Sequence, residues 1–276
     1  MAGALSFYTC YRFFIPLAKQ TNKITLMKNY MYTWLLGLLL LCAACSQSNQ
    51  PDAQGIVDAA LQAHGAGNLD QSIVTFKLRD MQYRALRDNG AYVYSRTFTD
   101  STGQRVHDVL SNSGFKRTVN DVEVELPEER KEAFSNSVNS VIYFALLPYY
   151  LNDAAVQKEY LGEVTVKGEP YQKVKVTFAQ EGGGEGFQDQ YVYWFHKNRH
   201  TMDYLAYNFK ENGGGSRFRE ATNTREVGGV RVQDYNNYKI ADKDFPIENY
   251  DRAFEAGKLE KVSEINLEAV QVKGLE

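Results

Sequence analysis

The chain has 276 residues, of which 24% are charged, and a formal net charge of -3 at pH 7. This balance provides no basic surface of the kind that binds nucleic acid, and six prolines in this length do not indicate a disordered chain. The three cysteines, Cys10, Cys42 and Cys45, lie in or beside a segment that we expect to be removed. The folded part would therefore contain neither a disulfide nor a cysteine metal site.

Residues 27–45 have the three parts of a secretory signal. A short basic stretch is followed by an apolar run at 35–41 and then by small residues. The apolar run is too short for a transmembrane helix, which needs about 20 residues. The motif Ala43-Ala44-Cys45 resembles the lipobox of bacterial lipoproteins, although Cys42 occupies the position where that motif usually has leucine. The resemblance implies cleavage before Cys45 and a diacylglycerol anchor on its thiol, which would tie the protein to a membrane.

We therefore divide the chain into four parts. Residues 1–26 are an over-extended start, 27–44 a lipoprotein signal peptide, 45–54 the lipidated Cys45 with a polar tether, and 55–276 a single domain. An uncleaved membrane anchor and an ordinary signal peptide without lipid are the alternatives, and both still send the domain out of the cytoplasm. Ser46 follows the cysteine in place of the aspartate that retains enterobacterial lipoproteins at the inner membrane. We accordingly expect a lipid-anchored protein of the cell envelope, in the outer membrane, with its domain in the periplasm or at the cell surface.

Two segments have the apolar spacing of helices. Residues 56–64 are apolar at positions 56, 57, 60 and 61, and the glycines at 65 and 67 are stop signals. Residues 128–147 begin after Pro127 with two glutamates, which suit a helix N-terminus, and continue with apolar residues at helical spacing until Pro148. The end of this second helix is apolar all round, so it is either buried or covers something apolar.

The rest of the chain predicts antiparallel strands. Strands at 73–85 and 91–99, with a turn at 88–90, precede the second helix, and residues 105–124 supply more strand material that is broken near 112–114 and 120–121. Three hairpins follow this helix, with turns at 167–170, 196–201 and 227–229, and residues 262–272 form a closing strand. The 19 tyrosines favour strands, because the ring is apolar and the hydroxyl can meet water. The fold class is therefore mainly β, of the α+β type.

The order of these parts resembles the LolA/LolB-like superfamily of lipoprotein carriers and lipid-binding lipoproteins. The residues that carry the likeness are Tyr193-Trp194-Phe195, the turn Lys197-Asn198-Arg199 and the returning Met202-Asp203-Tyr204-Leu205. The resemblance covers about residues 54–272 and also extends to Gram-negative lipoproteins that carry one domain of unknown function. It implies a curled antiparallel half-barrel with helices covering its concave face and acyl chains held inside. That superfamily has no catalytic motif, so no catalytic residue can be transferred.

The apolar pattern of residues 191–195 leads to the same expectation. Both faces of this strand are apolar, so both must be covered. The helix at 128–147 would cover one face, and a ligand or a membrane would cover the other. We therefore expect a non-enzymatic protein that binds a lipid or another hydrophobic ligand, in a cavity lined by aromatic and aliphatic side chains. The residues expected to line it are Tyr143, Phe144, Leu147, Tyr149, Tyr150, Tyr191, Tyr193 and Phe195.

Two other functions compete with ligand binding. An exposed aromatic patch would suit an envelope protein that binds another protein. His196 and His200 flank one turn, and with Glu185, Asp189 or Asp203 they would suit a metal-dependent enzyme or a hydrolase. The usual requirement for three protein ligands in a catalytic zinc site makes this pattern weak.

The remaining polar motifs do not require catalysis. The glycine-rich segments 182–186 and 213–215 do not precede a helix and lack the lysine of a phosphate-binding loop. We therefore interpret them as hairpin loops. The acid pairs Glu123/Glu125 and Asp242/Asp244 read as strand-edge and loop residues. We predict no catalytic residue, no metal and no cofactor.

Overall fold

The computed structural model describes residues 52–181, 185–209 and 213–275. The signal peptide, the acylation of Cys45 and nearly all of the tether fall outside these residues and stay predictions. Within the described residues, no helix combines the length and the hydrophobicity that a membrane crossing requires.

The described residues form fourteen strands and three α-helices, so the mainly β fold class is confirmed. The helices are α1 (Ala53–Ala63), α2 (Glu128–Ala145) and α3 (Tyr250–Glu255). The strands are β1 (Gln71–Leu78), β2 (Met81–Asp88), β3 (Ala91–Thr99), β4 (Arg105–Ser111), β5 (Gly114–Val119), β6 (Val122–Glu123), β7 (Val156–Val166), β8 (Glu169–Phe178), β9 (Tyr191–His196), β10 (Met202–Phe209), β11 (Gly215–Val227), β12 (Val230–Lys239), β13 (Glu260–Ile265) and β14 (Glu268–Gly274).

The strands make two antiparallel sheets that are not closed into a barrel. The first sheet has the order β14-β1-β2-β3-β4-β5-β6, and the second has the order β13-β12-β11-β10-β9-β8-β7. Each is a meander of neighbouring hairpins, except that β14 returns from the end of the domain to pair with β1. The open antiparallel architecture expected from the sequence is therefore confirmed, with its strands divided between two hydrogen-bonded sheets.

Two predicted strands are each two strands in the structure. The expected strand at 73–85 is the hairpin of β1 and β2, which turns at Arg79 and Asp80. Arg79 lies in this turn with φ 55°, a left-handed conformation that arginine rarely adopts. No glycine or asparagine marks the turn in the sequence, which is why it was not predicted. The expected closing strand at 262–272 is divided at Leu267 between β13 in the second sheet and β14 in the first.

The two predicted helices are found close to their expected bounds. Asp52 caps α1 by accepting a hydrogen bond from the backbone nitrogen of Gln54 at 3.2 Å. Pro127 precedes α2, and Glu128 and Glu129 lie in its first turn. The negative charges face the positive end of the helix dipole, as the sequence predicted.

Helices of the chain itself cover both faces of β9. On one face, Tyr193 and Phe195 belong to a buried cluster that includes Ile56 of α1. On the other face, Trp194 packs in a cluster with Tyr250 of α3. The expectation that a ligand or a membrane covers one face of this strand is therefore wrong. The short α3 gave no clear helical signal in the sequence and supplies that cover.

Candidate ligand-binding cavity

A cavity of about 450 Å³ lies between α2 and both sheets, and it is partly open to solvent. Its volume falls in the range of roughly 300–1,000 Å³ that small-molecule sites occupy. Most of its wall is apolar or aromatic, with a few polar groups among them. The lining residues are Leu78, Arg79, Met81, Tyr83 and Arg96 from the first sheet and its turn, Ser137, Ser140, Val141, Phe144 and Ala145 from α2, and Tyr207, Arg219, Tyr235, Glu264, Ile265 and Leu267 from the second sheet and the segment after it.

The spacing along α2 determines which of its side chains reach the cavity. Residues three and four positions apart share one helix face. Ser137, Val141 and Phe144 lie on the face toward the cavity. Val138 and Ile142 lie on the adjoining face, are fully buried and belong to the core beneath the first sheet. The helix therefore presents one stripe to the core and a second stripe to the cavity.

A buried ion cluster holds the wall that the first sheet contributes. The Asp108 carboxylate is fully buried and accepts hydrogen bonds from Arg96 Nη2 at 2.5 Å and Arg117 Nε at 2.6 Å. Arg96 Nη1 also donates to Ser137 Oγ on α2 at 2.8 Å. Although Arg96 borders the cavity, its charge is therefore paired and its donors serve to fasten the helix to the sheet.

Arg219 on β11 differs from Arg96 because it makes no ion pair with any carboxylate of the described residues. Its side chain is only 9% exposed, Nη2 donates to the Tyr207 hydroxyl at 2.9 Å, and Nε has no hydrogen-bond partner. The guanidinium carbon lies 4.1 Å from the ring centre of Phe144, 5.1 Å from that of Tyr207 and 5.9 Å from that of Tyr235. Aromatic faces attract a cation but accept no strong hydrogen bond.

Phe144 lines the cavity, and it is the one residue of the eight expected there that does so. Its ring centre lies 4.9 Å from that of Tyr207 and 6.2 Å from that of Tyr191. Tyr191 also stacks on Tyr207 at 5.7 Å. Phe144 therefore joins the cavity wall to the aromatic cluster behind it.

The other seven expected residues pack behind or beside the cavity. Tyr143 stacks on Tyr150 at 5.1 Å, and Tyr149 meets Tyr150 edge to face at 5.0 Å. Tyr193 and Phe195 are almost completely buried under α1 together with Leu147. With Tyr191 and Phe144, the aromatic residues form one continuous set of ring contacts. The structure thus brings the expected aromatic residues together, mostly as packed core.

Sequence reasoning missed most of the polar and second-sheet wall. Tyr207, Arg219 and Tyr235 lie on β10, β11 and β12, strands that the sequence did predict. Alternation along each strand predicts which of its own residues share a face. It does not predict which residues of neighbouring strands lie side by side: Tyr207 pairs with Arg217 and not with Arg219. Which face the helix and the first sheet enclose is visible only in three dimensions.

His196 and His200 do not form a metal site with the acidic residues of their hairpin. His196 is buried, its Nε2 lies 2.9 Å from Glu169 Oε2, and its Nδ1 accepts hydrogen bonds from the backbone nitrogens of Asn198 and Arg199. The side chain of His200 is exposed. Within the part of the chain that the structure describes, no group of three histidine, cysteine or acidic side chains could hold a metal ion. His196 therefore stabilises the turn that follows it through hydrogen bonds to the backbone of that turn.

Comparison with known proteins gives a family and several similar structures. Among curated proteins, none matches this chain. The structure is similar to that of a LolA superfamily protein from Nitrosomonas europaea, with a TM-score of 0.46, 10% identity, and coverage of 82% of this chain and 96% of the other. A DUF1329 family protein from Desulfovibrio piger gives a TM-score of 0.47 at 10% identity, with 80% and 93% covered.

A third similar structure is a Vibrio parahaemolyticus domain described as a putative outer membrane lipoprotein-sorting protein. Its TM-score is 0.41 at 9% identity, and the match covers 82% of this chain and 95% of that domain. The family model that matches residues 30–267 is DUF6503, so this chain belongs to that family of unknown function.

Proposed function

We propose that this protein is a lipid-anchored lipoprotein of the cell envelope whose domain binds a hydrophobic ligand without catalysing a reaction. The observation that carries this proposal is the cavity of about 450 Å³ between α2 and the two sheets. Its wall includes Leu78, Met81, Val141, Phe144 and Ile265. An apolar concavity with a few polar groups is the usual form of a small-molecule site.

Phe144 would contact the ligand directly. Tyr143 and Tyr191 would shape the cavity from behind, because their rings contact the Phe144 ring. The other five residues expected from the sequence would support these two rings. The ligand would replace water against an apolar wall, and the gain is roughly 25 cal/mol for each Å² of apolar surface removed from water. A closed, fully packed interior would have given no such site.

Neither competing function has a structural observation in its favour. Among the described residues, the strongly exposed large hydrophobic side chains are Val122, Val124 and Val262, none of them aromatic. An aromatic docking patch for another protein is therefore missing from this part of the chain. The hairpin of His196 and His200 shows turn contacts in place of a reactive arrangement.

Binding of the uncharged fluorophore N-phenyl-1-naphthylamine tests the proposal. We expect a saturable rise in fluorescence with the wild-type domain, because the dye becomes dehydrated in the cavity. Val141→Trp places a large ring in the cavity and should abolish the rise. Asn139→Trp is the matched control, since that exposed residue lies on the same helix outside the cavity lining. Binding that survives Val141→Trp in a folded variant, or that is missing in the wild type, would overturn the proposal.

The anchor has a separate test. Mass spectrometry of the protein purified from its native membrane should find an acylated N-terminal Cys45. The expected mass corresponds to the chain from this residue onward with its lipid. An intact terminus at Met1 or Met27 would refute the anchor and leave the ligand-binding proposal standing.

A further inference from the structure

Arg219 is exceptional among the deeply buried cations of the described residues. Three such side chains are less than a tenth exposed, namely Arg96, Lys173 and Arg219. Arg96 is paired with a carboxylate oxygen at 2.5 Å, and Lys173 has one at 3.2 Å. Arg219 has none. A buried charge without a counter-ion is costly, so one is expected to be paired.

Arg219 lines the cavity, and its hydrogen bonds are incomplete. Its Nη2 is used by Tyr207, whereas its Nε is buried and has no partner in the described part of the chain. The rings of Phe144, Tyr207 and Tyr235 surround the guanidinium and restrict its orientation. A planar guanidinium held in this way is suited to a bidentate contact with a carboxylate or phosphate.

The other charges of the cavity wall leave an excess of positive charge. Arg96 is paired with the Asp108 carboxylate, which it shares with Arg117. The one carboxylate of the lining, Glu264, is held by Lys261 at 2.7 Å. Arg79 is exposed in the turn between β1 and β2. Arg79 and Arg219 therefore remain, and both favour an anionic group in the cavity.

We propose that Arg219 is the anchor for the anionic head of the ligand, which is an amphiphile with an apolar chain and a single carboxylate or phosphate group. This inference rests on the proposed ligand-binding function and adds the charge of the ligand. The apolar chain would lie along Val141, Phe144 and Ile265, and the head would pair with the guanidinium. The head would give the guanidinium the anionic partner that the described residues do not supply.

Displacement of N-phenyl-1-naphthylamine by dodecanoate, dodecyl phosphate and dodecanol tests this inference. The three competitors share one chain and differ in the head. We expect at least one anion to bind the wild-type domain about thirtyfold more tightly than dodecanol, because a desolvated charge pair is lost with the alcohol. The tighter of the two anions would identify the head as carboxylate or phosphate.

Variants assign the effect to one side chain. Arg219→Gln should lower the affinity for the anion, relative to the affinity for dodecanol, about thirtyfold. Arg219→Lys should retain part of the preference. Arg217→Gln is the matched control, because Arg217 lies two residues away on the same strand but outside the cavity lining. If Arg219→Gln does not fold, Arg219→Met keeps the apolar stem, and the comparison of heads on the wild type needs no variant.

The possible failures can be told apart. Equal affinity of the wild type for dodecanol and both anions would overturn the anionic head and leave hydrophobic binding intact. An anion preference that persists in a folded Arg219→Gln or Arg219→Met would overturn the assignment to this residue. A wild-type domain that does not bind the fluorophore would overturn both this inference and the proposed function.

Discussion

His64 should couple unfolding of the domain to a fall in pH. Its side chain follows α1, is 2% exposed, and its Nε2 accepts a hydrogen bond from the backbone nitrogen of Met202 at 3.0 Å. Burial, together with the positive charge of Arg231, lowers the pKa of His64 from 6.5 to about 3. In the unfolded chain the ordinary pKa returns. The unfolded state therefore takes up the proton first, and stability that is present above pH 6.5 is lost as the pH falls toward 3.

The size of the effect follows from the two pKa values. Each unit of difference corresponds to about 1.36 kcal/mol, so the complete loss near pH 3 would reach about 5 kcal/mol. Over the accessible interval from pH 7.5 to pH 5, the loss in free energy of unfolding is about 2 kcal/mol. For a domain of this length, that corresponds to a fall in melting temperature of about 4–8 °C.

The comparison of the wild type with His64→Gln isolates this residue. Glutamine can still accept the hydrogen bond from Met202 but does not titrate. Chemical denaturation followed by circular dichroism at pH 7.5, 6.5, 5.5 and 5 would give the free energy of unfolding for each protein. Titration of the carboxylates and the other histidines is common to both, so it cancels in the difference. Two parallel stability profiles over this interval would refute the reasoning.

Two further predictions concern the stability of the domain. Asp108→Asn should lower the free energy of unfolding by about 3–5 kcal/mol, because Arg96 and Arg117 would be left without a buried carboxylate; a loss below about 1 kcal/mol in urea unfolding would contradict this. Gly65→Ala should lower the melting temperature more than Gly103→Ala, although both glycines have a left-handed conformation. A Cβ at Gly65 would lie 1.9 Å from a backbone oxygen, whereas a Cβ at Gly103 would meet nothing within 4 Å. Equal melting temperatures of the two alanine variants would exclude this explanation.

Local signals in the sequence were sufficient for much of the fold. The turn between β2 and β3 has Asn89 and Gly90 at φ 47° and 88°, and the turn between β11 and β12 has Gly228 and Gly229 at φ 57° and 74°. These residue types tolerate the left-handed conformations that two-residue hairpin turns require. Where such residues were missing, as at Arg79, the turn was not predicted. The hairpin order could therefore be derived from the sequence, apart from the turns without a marker.

The site depended on contacts that no local pattern contains. In the sequence, Arg219 stands among polar residues of a long strand and looks like an exposed charge. Its burial results from the approach of α2 and from the rings of Phe144, Tyr207 and Tyr235. Its lack of a counter-ion is equally a property of the assembled domain. The sequence led us to expect these aromatic residues as cavity lining, but it could not separate the cavity wall from the core behind it.

The pairing of β1 with β14 has a consequence for how the chain reaches its folded state. Ser72 lies opposite Gly274, so the first strand of the domain is completed by the last one. Every other strand pair of that sheet joins neighbours in sequence. Contacts between distant segments slow folding, because the loop between them must be closed before they stabilise anything. During synthesis, β1 would therefore present an unpaired edge until the C-terminal residues emerge. That edge would need protection from aggregation for longer than any other strand edge that is paired in the folded sheet.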